Sequence, residues 1–162
     1  MIHVTVLLLS DGLASVAVAP LEIFQMAGVL FNMCTGQPPQ PRFQVTSASI
    51  DGKPPLSDGG LAVVADKAIA QVRKTDLVFV PDAGFDLDGM IDKHRPLLPW
   101  LRKMQARGAT IAGVCSGVGL VAAAGLLEGR RATTHWGLSG IVAQRFSNVN
   151  GALRPSLPKT AI

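Results

Sequence analysis

Residues 2–9, IHVTVLLL, form a strand-length run in which nearly every side chain is apolar and several are β-branched. A strand with one wet face alternates polar and apolar residues. A run without a polar face must be covered on both sides, as in the centre of a parallel sheet. The rest of the chain reads the same way. Residues 42–50 (RFQVTSASI) alternate as a second strand, residues 75–81 (TDLVFVP) make another buried strand, and residues 109–114 (ATIAGV) the next. Between them lie helical stretches. One opens at Pro20 and carries Leu21, Phe24, Ala27, Gly28 and Phe31 at helical spacing. Residues 96–108 (PLLPWLRKMQARG) make an amphipathic helix ending at a glycine cap. The stretches 115–130 and 137–146 are further helices, with RATTHW between them as a short strand or turn. Residues 10–15, 35–41 and 83–89 read as turns or loops. The turn-rich 51–60 and the short strand LAVVAD at 61–66 make a hairpin-like excursion. Strands alternating with helices define a doubly wound α/β fold, mostly parallel, with helices on both faces.

A chain of 162 residues suits one domain, and 48% hydrophobic against 16% charged residues is enough to build a core. No apolar run approaches the ~18 residues of a membrane span. No basic, cleavable leader opens the chain, so a cytoplasmic protein without membrane contact is expected. The two cysteines, Cys34 and Cys115, form no CxxC and join no histidine cluster. Neither a metal site nor a cofactor is expected. The net charge of +4 is spread over scattered residues such as Arg102, Lys103, Arg107, Arg130 and Arg131, without a nucleic-acid-binding signature.

The chemistry-bearing motif is Gly113-Val114-Cys115-Ser116-Gly117, a G-x-nucleophile-x-G element where a strand runs into a helix. A nucleophile on so tight a turn has a strained backbone, and small residues two positions away relieve the crowding. The thiol then projects at the carboxyl ends of the strands, where open α/β sheets bind ligands. The helix start beneath it favours the thiolate. The plainer alternative is a buried cysteine at a glycine-rich junction. His135, in TTHW, lies twenty residues on and can return beside the thiol along a strand-helix-strand path; a histidine satisfied within its own turn is the alternative. Glu22 either reaches the site or simply favours its helix dipole. His3, at a strand start, and His94, in a polar loop, carry no signal.

The block AGVCSGVGLVAAAGLLEGRRATTHW resembles the ThiJ/PfpI superfamily, which has the class I glutamine amidotransferase-like fold. VTVLLL, APLEIFQMAG, RFQVTSAS and TDLVFVP fit the same pattern, most closely that of the N-terminal domains of AraC-family transcriptional regulators. The resemblance spans roughly residues 2–150 and implies a flavodoxin-like domain that often dimerises and binds a small-molecule effector. In such regulators DNA is bound by a C-terminal helix-turn-helix domain, and none is expected within these residues. Cys115 and His135 carry over as the catalytic pair, with Ser116, Gly84 and Glu22 as ligand-binding candidates. Enzymatic relatives place an acid four residues before the proline of the first helix, where it hydrogen-bonds the cysteine. Here that position is Val16. The family's Gly-Gly pair after the middle strand is replaced by the run from Val80 and Pro81 to Asp82, Ala83 and Gly84.

Three readings follow. The first is a ligand-sensing and dimerisation domain of an AraC-type regulator. The second is a small cysteine-dependent hydrolase or hydratase, with Cys115 attacking, His135 moving protons and amides near Ser116 holding the oxyanion. The third is a remnant without independent activity. Residues 1–150 are expected to form the domain, either whole or incomplete at its C-terminal end, and 151–162 an atypical tail. Its composition suggests a truncated or frameshifted product or an excised piece.

Overall fold

The computed structural model describes residues 1–151. Strands β1 (Ile2–Leu7), β2 (Phe43–Ser49), β3 (Lys67–Ala68), β4 (Leu77–Val80) and β5 (Thr110–Gly113) form one sheet in the order β3-β2-β1-β4-β5. All four pairings are parallel. Strand β1 is the centre, with Val4 opposite Val45 on one side and Leu77 on the other. Its alternate side chains supply two separate cores. Val4, Val6 and Leu8 face helix α1 (Ala14–Met26), together with Ala17, Leu21 and Phe24. Phe24 meets Phe43 edge-on at 5.0 Å. Leu7 and Leu9 face the opposite layer, made by α3 (Leu87–Lys93), α4 (Leu97–Ala106), α5 (Gly117–Ala123) and α6 (Ser139–Arg145). In α4 the buried residues Leu97, Trp100, Leu101 and Met104 recur at helical spacing. A short helix α2 (Leu30–Cys34) follows α1, and β6 (Arg131–Ala132) pairs with β7 (Asn150–Gly151) as a separate parallel ribbon. The doubly wound α/β fold expected from the sequence is the one observed.

Several boundaries differ from the sequence reading, each for a physical reason. The first helix starts at Ala14, so Pro20 lies inside it. An internal proline removes one backbone hydrogen bond and costs about 3 kcal/mol. Burial of Ala17, Leu21 and Phe24 against β1 and β2 holds the helix together across that gap. Gly28, at φ +78°, ends the run, so Phe31 belongs to α2. Residues 61–66 are not a strand: Ala62 makes only an isolated antiparallel bridge to Leu56, and β3 begins at Lys67. Asp66 instead spends its carboxylate on the backbone and hydroxyl of Ser47. Helix α3 occupies sequence read as loop. Asp86 caps it by accepting the Gly89 amide, and Leu87 and Met90 are buried. The tail expected at 151–162 begins with Gly151, which pairs in β7; residues 152–162 lie outside the described residues.

His94 is the largest surprise among the loops. It is 1% exposed at the end of α3. Its Nδ1 lies 2.8 Å from the Met90 carbonyl, which can only accept, so Nδ1 carries the proton. Nε2 then accepts from the Ser10 hydroxyl at 3.3 Å. Burial holds the imidazole below its ordinary value, against the Met90 hydrogen bond and the charge of Asp11, and Lys93 adds to the lowering. A base whose folded value is depressed contributes stability above its unfolded value and loses it as pH falls towards the folded one. The wild-type chain is therefore expected to lose stability as the pH falls below about 6.5, followed by urea denaturation. His94→Gln should flatten that slope; an unchanged slope would assign the acid loss to other groups.

Candidate functional site

Strand order reverses at β1: the chain moves outward to β2 and β3, then returns to β4 on the other side. The loops leaving β1, β4 and β5 therefore converge at a crevice at the strand ends, the usual ligand position in open α/β sheets. Cys115 stands there, between β5 and α5, with φ +55°. A left-handed conformation in a non-glycine residue costs on the order of 1–3 kcal/mol and is held by its surroundings. Here Val114 N–H donates to the Val80 carbonyl at 3.0 Å, and Thr134 Oγ1 donates to the Cys115 carbonyl at 2.8 Å. Both flanking glycines are tightly packed. A Cβ on Gly117 would collide with the Val80 and Pro81 carbonyls, and one on Gly113 would crowd Val118 and Val121.

The residue that organises the crevice is Asp82, which the sequence reading passed over. It is 3% exposed at the end of β4. Its carboxylate accepts from the Ser116 hydroxyl, from the Leu13 amide at 3.0 Å and from the Gly84 amide at 3.4 Å. Ser116 Oγ in turn accepts from the Ala83 amide at 2.9 Å. Three loops are thus joined at one buried carboxylate. The signal that locates it is an aspartate directly after a buried strand, at the point where the strand order reverses.

Burial and Asp82 together act on the thiol. Burial pushes the Cys115 thiol up, the negative charge of Asp82 pushes it further, and the Ser116 amide pulls the other way. A hydrogen bond to Asp82 adds to the rise. The lowering expected from the helix start is outweighed, and the Cys115 thiol lies above its ordinary value. Helix α5 is only seven residues long and cannot offset a buried carboxylate.

The other expected site residues are placed as follows. Ser116 is fully buried, and its hydroxyl is committed to Asp82. Gly84 sits at φ +94° over the Asp11 carbonyl, so its backbone lines the crevice wall. His135 is part-exposed. Its Nδ1 accepts from the Gly137 amide at 3.2 Å, and its ring meets Phe85 at 4.9 Å and Trp136 at 5.3 Å. No hydrogen bond joins it to Cys115 among the described residues. Glu22 is exposed on α1, and Val16 is half-buried on the same helix. Among the described residues no helix is long and apolar enough to cross a membrane.

Residues 6–152 match the DJ-1/PfpI family, and the chain belongs to it. It is 43% identical over 95 residues to the HTH-type transcriptional regulator CdhR of Pseudomonas aeruginosa, a match covering 59% of this chain and 27% of the regulator. It is 33% identical over 97 residues to the isonitrile hydratase of Pseudomonas putida, covering 59% of this chain and 41% of that enzyme. The chain thus spans well under half of either relative. Its fold superposes with a TM-score of 0.62 on the crystal structure of an AraC family transcriptional regulator from Pseudomonas putida, at 21% identity, covering 91% of this chain and 74% of that one.

Two outcomes test this geometry. Asp82→Asn removes a charge from beside the sulfur, so the Cys115 pKa falls. Alkylation by iodoacetamide at neutral pH should quicken about threefold for each unit of fall, because the gain in thiolate outruns its loss of nucleophilicity. An unchanged rate would mean that Asp82 does not govern the thiol. Gly117→Ala should destabilise the chain by about 2 kcal/mol or more in urea, by forcing backbone apart. Gly140→Ala, where a Cβ meets nothing within 4 Å, should be neutral or stabilising.

Proposed function

We propose that this domain is the ligand-sensing and dimerisation part of an AraC-type transcriptional regulator, with Cys115 on a nucleophile elbow kept in its thiol form. The observation that carries the reading is the buried carboxylate beside the sulfur. A catalytic cysteine needs a neighbour that takes its proton or stabilises its anion. Asp82 does the reverse, and Nδ1 of His135 is occupied by its own turn. The match to part of CdhR supports the same reading. A small-molecule effector would then be recognised at the crevice by Cys115, His135 and the Gly84 backbone, with Ser116 buried behind them and Glu22 outside. Such a domain works in the cytoplasm and reaches DNA only through an attached helix-turn-helix domain.

Dimerisation has a surface to work with. Ile23, Met26, Leu30, Phe31 and Met33 are all exposed on α1 and α2. Exposed large apolar side chains this close together in the chain are candidates for an association site.

A second reading is favoured by one specific observation. In it Asp82, which follows β4, would stand in for the acid absent at Val16, and the chain would be a small cysteine-dependent hydratase or hydrolase. Assay of the purified chain on isonitriles, amides and glyoxals separates the two: the sensing reading expects no turnover above a Cys115→Ser control. In sedimentation equilibrium it expects a dimer that Phe31→Glu converts to a folded monomer. Cys115-dependent turnover, or a wild-type monomer, would contradict it. An in-frame helix-turn-helix coding sequence downstream of the gene segment is the matching genetic expectation.

A further inference from the structure

A second concave site lies one strand away from the Cys115 crevice. It is a groove of about 400 Å³ over the carboxyl ends of β1 and β2, within the size range of small-molecule sites. Neither Cys115, Ser116 nor Asp82 lines it. Its polar groups come from three elements. Ser10 follows β1, Ser49 and Lys53 belong to the end of β2 and its loop, and Lys93 and His94 close α3. His94 is almost wholly buried and hydrogen-bonded to Ser10, so the groove contains a polar group fixed by the fold. Ser49 is likewise buried, its hydroxyl donating to the Lys53 carbonyl at 2.7 Å, which fixes the loop that carries the lysine.

The charges favour an anion. Lys53 has a loose ion pair with Asp51 at 3.9 Å, both side chains well exposed. Such a pair is worth little, and Lys53 is free to turn to a ligand. Lys93 is part of the lining and pairs with Asp11, which is not, so a ligand in the groove would draw its ammonium away from that aspartate. Asp51 is the single carboxylate in the lining. Two lysines on separate elements, with two serines in the same lining, match a molecule with two separated negative ends.

We propose that this groove binds a small organic dicarboxylate, its two carboxylates held by Lys53 and Lys93 and its chain lying over Ser10 and Ser49. Occupation has a route to the thiol site. A ligand carboxylate competes with Asp11 for Lys93, and Ser10 is tied to His94. Both Ser10 and Asp11 belong to the loop whose Leu13 amide donates to Asp82. The binding claim stands independently of the regulator reading; the coupling deepens that reading by giving it an effector class.

The test uses the full chain with glutarate, its neutral isostere glutaramide, and inorganic phosphate as probes, followed by calorimetry and amide NMR. Saturable glutarate binding is expected, with shifts at Ser10, Ser49 and His94 and no response to glutaramide. Lys53→Gln and Lys93→Gln should each weaken it about tenfold, the loss of one charge-assisted hydrogen bond. Both lysines are exposed, so the variants keep the fold. Absence of saturable binding, phosphate binding as tightly as glutarate, or unaffected lysine variants would overturn the proposal. Glutarate binding by a chain that sediments as a monomer would count against the regulator reading alone.

Discussion

One carboxylate fixes the working end of this molecule. Burying a charged group is costly unless hydrogen bonds replace its water. Asp82 finds replacements on the β1–α1 loop, on its own turn and on the β5–α5 turn. Those bonds require the three loops to approach closely, and the approach in turn requires glycine. A Cβ on Gly12 would strike the Asp82 carbonyl, just as one on Gly117 would strike the Val80 and Pro81 carbonyls. The left-handed backbone of Cys115 is a consequence of this packing. Strain at one residue is outweighed by a network that cannot form with the turn relaxed.

The same carboxylate explains why an arrangement suited to a reactive cysteine is read here as a recognition site. Geometry alone presents the sulfur at the strand ends, over a helix start, which favours ionisation. Electrostatics oppose it, and a buried charge in contact outweighs the dipole of a seven-residue helix.

Much of the fold was legible in the sequence because it rests on periodicity. The unbroken apolar run of β1 demanded cover on both faces, and the spacing of Leu97, Trp100, Leu101 and Met104 marked α4. What was missed depends on tertiary contacts that outweigh local preference. Pro20 argues against helix before it and Gly89 against helix at its own position; burial of Ala17 on one side and of Leu87 and Met90 on the other decides otherwise. At the site, the G-x-C-x-G spacing located Cys115 and its glycines. Asp82 was hidden because a lone aspartate after a strand reads as a turn residue. Its importance lies in partners 34 and 69 positions away in the chain. His94 was misread for the same reason, since its burial depends on Ser10, 84 residues earlier.

The central claim, that Asp82 and burial hold Cys115 as a thiol, is tested most directly by titrating the Cys115 sulfur itself. Thiolate absorbance followed against pH in a Cys34→Ser background, which removes the exposed second cysteine, reads that group alone. The account predicts an ionisation above the ordinary thiol value of 9.0. A midpoint near or below neutrality would contradict it and return the site to catalysis.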